Sequence, residues 1–288
     1  MDHIVGDTTS RPGQVNRTPL AERLSLDRCG DVLTGHPPHG FDQRLFGGQL
    51  LAQVLLAAAA AAPAGRVVES LHAHFLRPGR PDGPIRYPAR VIREGRTRSV
   101  LAVQAEQGER ELVAATVSLG PGDSPATTAA PASAPNPESL PDLPERRRRG
   151  LPADGVRLPP LGDWRTASRP LDVRPIDEPD PSGARRLWVR AEPVPGADDH
   201  LQRALLAYAS DRSLLQVIAR TRGAAGDPPS ASVDHAMWFH ATPRAGDWYL
   251  YVQDCPFAGE RGGLARGTLS DQDGRVVASV AQHGVLLS

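Results

Sequence analysis

Apolar residues run unbroken from Val54 to Ala62, behind Phe46-Gly-Gly-Gln-Leu-Leu-Ala-Gln and ahead of Pro63. Alanine and leucine are the strongest helix formers, and proline cannot continue a helix, so a helix opened by glycines ends there. A second periodic stretch, His200–Arg220, carries Leu201, Leu205, Tyr208, Leu215 and Ile218 at helical spacing and predicts one more long helix. Strand-like segments follow each helix. In the first part these are Glu69–Arg77, Ile85–Arg93, Thr97–Glu106 and Glu111–Leu119, with Gly95 and Gly108 at the turns. In the second part they are Ser232–His240, Trp248–Gln253, Arg261–Ser270 and Arg275–Leu286, the last two joined at Asp271-Gln-Asp-Gly.

The two parts repeat one another. Setting His72 on His235 gives an offset of 235 − 72 = 163, which also sets Ala73 on Ala236, Phe75 on Trp238 and Gly48 on Asp211. Leu112-Val-Ala-Ala-Thr-Val-Ser matches Val276-Val-Ala-Ser-Val-Ala-Gln at 276 − 112 = 164, placing Gln282 on Ser118. Matched segments in one order at nearly one offset indicate a tandem duplication. One apolar helix followed by successive antiparallel strands suggests a sheet wrapped around a central helix, which is the layout of the hotdog fold. The expected architecture is α+β: a tandem double hotdog. Its divisions are a disordered tail (1–18), an N-terminal repeat (19–120), a proline-rich linker (121–163) and a C-terminal repeat (164–288).

Composition explains the divide. Ten of the 29 prolines lie between Pro121 and Pro160, a stretch with neither the 2.0 nor the 3.6 repeat needed to bury a face. The arginine run at Arg147–Arg149 reads as solvated linker charge. Basic and acidic residues balance at 33 each, all the basic ones arginine, which argues against a nucleic-acid or anionic-membrane surface. The longest apolar run is far short of the ~20 residues of a membrane span, and no export signal is evident. Cys29 and Cys255 are too few and too far apart for a disulfide framework, so a cytoplasmic location is expected.

Five stretches carry a family resemblance: Leu45-Phe-Gly-Gly-Gln, Phe75-Leu-Arg-Pro-Gly, Tyr208-Ala-Ser-Asp, Asp234-His-Ala-Met-Trp-Phe-His and Val277-Ala-Ser-Val-Ala-Gln-His-Gly. Together they resemble the bacterial acyl-CoA thioesterase II family, the TesB-like double-hotdog enzymes, from about Pro19 to the C-terminus. The resemblance implies hydrolysis of fatty acyl-CoA to free acid and CoA, with acyl-CoA as the partner and neither cofactor nor metal. It implies a catalytic set of Asp211, Ser232 and Gln282, with Ser232 standing where the family has threonine. Serine keeps the hydroxyl and loses the methyl that restrains its rotamer. Gly47, Gly48, Phe75, Trp238 and Phe239 are the candidate substrate-binding residues.

The chemistry can be stated from the residue types. A thioester carbonyl is activated enough for a positioned water to attack it. A carboxylate orients the water and takes its proton, while a hydroxyl and an amide hold its other hydrogen bonds. Backbone N–H groups at a helix N-terminus can hold the developing oxyanion.

Competing constellations are weaker. His72 and His74 share a strand face at metal-ligand spacing, but no cysteine or glutamate cluster completes a shell. No Gly-x-Ser-x-Gly elbow occurs, and neighbours Asp234 and His235 point to opposite faces of a strand. Two alternatives stay open: a hotdog hydratase or dehydratase on acyl thioesters, and a non-catalytic acyl-thioester binding protein. Pairing of the two hotdogs within one chain is compatible with a monomer or with a homo-oligomer built through the sheets.

Overall fold

The computed structural model describes residues 19–37, 45–122, 134–151, 171–223 and 229–287. The expected tail (1–18) and much of the proline-rich stretch lie outside the described residues. The N-terminal part contains helices α1 (Leu20–Leu24) and α2 (Gly47–Ala61). Its strands are β1 (Leu26–Cys29), β2 (Val32–Gly35), β3 (Val67–Phe75), β4 (Ile85–Tyr87), β5 (Ala89–Glu94), β6 (Ser99–Gln107) and β7 (Arg110–Gly120). After α3 (Leu143–Arg148) come β8 (Leu171–Pro175), β9 (Arg185–Ala191), α4 (Asp199–Ser210) and α5 (Leu214–Thr221). The chain closes with β10 (Ser230–Ser232), β11 (Asp234–Phe239), β12 (Tyr249–Ala258), β13 (Gly262–Ser270) and β14 (Val276–Leu286).

All these strands join one antiparallel sheet, in the order β1-β2-β4-β6-β7-β3-β11-β14-β13-β12-β9-β8, with β5 beside β6 and β10 beside β14. The order is the same read outward in either direction from the β3–β11 seam. Helix α2 packs on β3, β6 and β7 of its own half, and α5 packs on β12, β13 and β14 of the other. Leu51 and Leu55 of α2, Leu71, Val103 and Val117 of the first half, and Ile218, Met237 and Val280 of the second belong to one buried core. Each such side chain contributes about 2 kcal/mol on leaving water.

Strand registers fix how the two halves correspond. In the first half, Val68 pairs with Leu119 and His72 with Thr116, and a bulge falls at Glu69 between them. In the second, Ser232 pairs with Gly284 and Ala236 with Ala281, and the same slip falls at Val233. The bulges differ by 233 − 69 = 164, as do the paired positions (232 − 68, 236 − 72). Their partner strand is offset by 165 (284 − 119, 281 − 116). This corrects the offset of 163. His72 is exposed whereas His235 is only 1% exposed, and a one-residue slip turns every side chain to the other face. In register, His235 corresponds to Leu71, Phe239 to Phe75 and Ser232 to Val68. Gln282 corresponds to Val117, not Ser118, and the same 164 carries Asp211 onto Gly47, not Gly48.

The proline-rich stretch is partly structured. Asp142 caps α3 by accepting from the Glu145 amide, with Pro144 in the first turn. Arg147–Arg149 are exposed as expected, whereas the preceding Arg146 is 1% exposed and binds Asp177 through two bonds of 2.8 and 2.6 Å. Upstream, Trp188 Nε1 donates to the Pro135 carbonyl, and Trp248 Nε1 and Arg190 both donate to Glu138, each at 2.9 Å. The Arg190 guanidinium lies 4.2 Å from the Trp248 ring centroid, a cation–π contact. Residues 134–151 therefore form a strap docked on the second half.

Candidate active site

The helix expected across His200–Arg220 is two helices. α4 ends at Ser210, α5 begins at Leu214, and Ser213 takes a left-handed conformation with φ 64°. Non-glycine residues pay about 1–2 kcal/mol for that conformation, so something must hold it. Two inward-facing residues of β12 do so. Tyr251 donates its hydroxyl to the Ser210 carbonyl at 2.7 Å. Gln253 donates to the Arg212 carbonyl at 2.8 Å and accepts from the Ser213 hydroxyl at 3.1 Å. Burial raises the Tyr251 phenol well above its ordinary value, so it stays a donor. Asp211 is thus the cap of α4 at a braced helix break, half-buried, rather than a residue within a continuous helix.

Opposite that break stands the N-terminus of α2. A Cβ placed on Gly47 would lie 2.7 Å from Asp211 Oδ2 and 3.0 Å from the Phe75 ring, so the three residues share one small space. Gly48 serves differently: its Cβ would collide with the Tyr208 carbonyl, so glycine there lets α2 approach α4. Phe46 and Tyr208 stack edge-to-face across the same contact, with centroids 4.9 Å apart. The N-cap Phe46 supplies no side-chain cap, and the Gly47 and Gly48 N–H groups precede the first bond of the helix, from the Gln49 N–H to the Phe46 carbonyl at 3.1 Å.

A buried hydrogen-bonded chain links the Asp211 break to the other two predicted catalytic residues. Ser210 Oγ lies 3.0 Å from His235 Nε2, and His235 Nδ1 lies 2.6 Å from Gln282 Oε1. Gln282 Nε2 then donates to Ser232 Oγ at 3.0 Å. Gln282 is wholly buried, and Ser232 is half-buried at the end of β10. Burial lowers the His235 pKa to about 4, so the imidazole is neutral near pH 7.

Of the predicted substrate-binding residues, Gly47 and Phe75 reach this site and Gly48 packs beside it. Trp238 does not. It follows inward-facing Met237 on β11, points to the outer face, is 38% exposed and meets His72 edge-on at 5.1 Å. Phe239 faces inward beneath the Arg203 guanidinium, 5.3 Å away. His72 and His74 share the outer face as expected, and among the described residues no group of three or more His, Cys, Asp or Glu forms a metal-holding cluster. Sequence reasoning missed Ser210, His235, Tyr251 and Gln253. The available signal was the alternation along β11, which turns His235 inward on the same face as Met237 and Phe239.

A family model described as the acyl-CoA thioesterase N-terminal domain matches residues 36–120, and the corresponding C-terminal domain matches residues 137–286. A hotdog-fold protein from Alicyclobacillus acidocaldarius superposes with a TM-score of 0.72 at 19% identity, covering 92% of this chain and 97% of that one, a likeness of fold. The fold is thus of the hotdog class. Acyl-coenzyme A thioesterase 8 of Homo sapiens is 31% identical over 98% of this chain and 92% of the relative. Acyl-CoA thioesterase 2 of Haemophilus influenzae is 32% identical over 93% of this chain and 96% of the relative. The TesB protein of Mycobacterium avium subsp. paratuberculosis has a TM-score of 0.75 at 29% identity, covering 92% and 97% of the two chains. The chain belongs to the TesB-like acyl-CoA thioesterase II family.

Proposed function

We propose that this protein hydrolyses acyl-CoA thioesters to a free acid and CoA by direct attack of water at the α2–Asp211 site. The observation that carries the reading is the Asp211 carboxylate set against Gly47 at the start of α2, with the Gln282–Ser232 pair tied to the same helix break through His235 and Ser210. Asp211 orients a water and accepts its proton as the water oxygen bonds to the thioester carbon. The Ser232 hydroxyl, fixed from behind by the buried Gln282 amide, holds a further hydrogen bond of the water. The carbonyl oxygen becomes an oxyanion facing the leading N–H groups of α2, where the helix dipole favours negative charge. Collapse of the tetrahedral intermediate breaks the C–S bond, and the proton held by Asp211 passes to the sulfur. Phe75, against Gly47, borders the acyl group.

In this reading the chain is a tandem double hotdog, with repeats at 19–120 and 164–288. The mirrored strand order and the shared bulge support it. Function is confined to one of two pseudo-equivalent places, because Gly47, Val68 and Val117 stand where Asp211, Ser232 and Gln282 stand in the second repeat.

The test is thiol release from acyl-CoAs of increasing chain length. Wild type should release CoA, and Asp211→Asn should stay folded with the rate at least about 100-fold lower. Full activity in that variant, or ligand binding without thiol release by wild type, would defeat the proposal.

A further inference from the structure

We propose that His235 is a positioning residue of the hydrolytic site. Bonded at both ring nitrogens, it turns the Gln282 amide so that its NH2 group faces Ser232, and it ties β14 to the helix end that carries Asp211. The inference rests on the hydrolase reading above and deepens it.

Donor and acceptor counting gives the direction of each bond. Gln282 Oε1 can only accept, so the 2.6 Å contact requires the proton on Nδ1 of a neutral imidazole. Nε2 then accepts, and the partner 3.0 Å away is the Ser210 hydroxyl, whose single proton it shares with the Ala207 carbonyl at 2.8 Å. At the other end, Gln282 spends an amide proton on Ser232 Oγ. The Ser232 oxygen is therefore an acceptor within the chain, and its own proton is left to give to water or substrate. With the opposite tautomer the amide would turn over, and Ser232 would spend that proton on Gln282 Oε1. The tautomer of a ring that touches no substrate thus decides what Ser232 can donate.

Burial and the first repeat both argue that the ring acts from behind. At 1% exposure, with both nitrogens engaged, His235 has no face open to a thioester. The positions corresponding to His235, Gln282 and Ser232 are Leu71, Val117 and Val68, all fully buried. An apolar trio packs at the same place in the same sheet, so the fold does not need the polar chain. Its presence only beside Asp211 is explained by what it orients.

His235→Leu installs the residue of the first repeat, while His235→Asn keeps a donor near the Nδ1 position. Thiol release from a long-chain acyl-CoA should show kcat at least about 30-fold lower for His235→Leu, with KM within about 3-fold, because misorientation costs rate rather than binding. His235→Asn should recover about a tenth or more of wild-type kcat. Nitrogen-15 NMR of the imidazoles, with His235 assigned by its loss in His235→Asn, should show the Nδ1–H tautomer. A His235→Leu variant with kcat within about 3-fold of wild type, no rescue by asparagine, or an Nε2–H ring would each overturn the proposal. Should wild type release no thiol, the hydrolase reading falls, and the tautomer still decides the orientation of Gln282. Should His235→Leu not fold, the asparagine variant and the NMR measurement decide.

Discussion

Gly47 vacates the space that the Asp211 carboxylate occupies: a Cβ there would stand 2.7 Å from Oδ2. The neighbouring Gly48 vacates space for a backbone carbonyl, that of Tyr208. The two glycines should therefore fail differently. Gly47→Ala displaces a side chain and Phe75, and should lower kcat about 100-fold with stability changed by less than about 1 kcal/mol. Gly48→Ala meets backbone that cannot swing aside, and should cost about 1–3 kcal/mol by prising α2 from α4. Steady-state kinetics beside urea denaturation of both variants checks the pair. Equal kinetic loss with equal destabilisation would contradict it.

The His235–Gln282 bond predicts a coupled stability effect. Removing one partner leaves a buried polar group unsatisfied, at about 1–3 kcal/mol, whereas replacing both with apolar groups is far milder. His235→Leu and Gln282→Val should each be destabilising, and the double variant, which copies Leu71 and Val117, should be more stable than the sum of the singles by at least about 1 kcal/mol. Additive losses in a double-mutant cycle would argue against the drawn bond.

Stability should fall on mild acidification. Burial holds His235 at a pKa of about 4 against an ordinary 6.5, so the unfolded chain binds this proton at higher pH than the folded one. The contribution is fully present above pH 6.5 and is lost progressively as pH drops towards 4. Between pH 7 and pH 5 the loss is about 2 kcal/mol. Denaturant unfolding at several pH values should show this slope in wild type and a flatter one in His235→Leu. Matching slopes would mean the imidazole is not held neutral.

The strap should matter to the second half. Trp248 is buried in a small cluster with Ile176, Trp188 and Leu250, and it also donates to Glu138. Trp248→Ala should cost about 3–5 kcal/mol and speed limited proteolysis within residues 134–151. Trp188→Phe keeps a ring and loses only the bond to the Pro135 carbonyl, at about 1 kcal/mol. An unchanged cleavage pattern in Trp248→Ala would mean that the strap is held by other contacts.

Several features were legible from the residues in order. The alanine-rich run up to Pro63 specified α2, because propensity and a terminal proline are local properties. Alternation of apolar and polar residues specified most strands, and the likeness of the two halves was visible as matched segments. The proposed catalytic trio was reached through motifs, and in space Gln282 and Ser232 are linked through His235 to Ser210, the residue before Asp211.

Other features depended on contacts between distant segments. The periodicity of His200–Arg220 continues through Asp211, and Tyr251 and Gln253, about forty residues on, hold the chain in the left-handed turn at Ser213. Nothing local to Arg146 marks it for burial, because its partner Asp177 is supplied across the strap. Sequence matching set His72 on His235 since identity attracts an alignment, yet the bulges at Glu69 and Val233 fix the offset at 164.

That single residue decides which side chains look inward. It puts Trp238 outside, His235 inside and Leu71 in the histidine's place. The sequence by itself determined the elements and their repetition, because helix and strand periods are short-range. Tertiary structure decided the facing of β11, the break before α5 and the polar chain between Ser210 and Ser232, because each depends on strand register and on partners far along the chain.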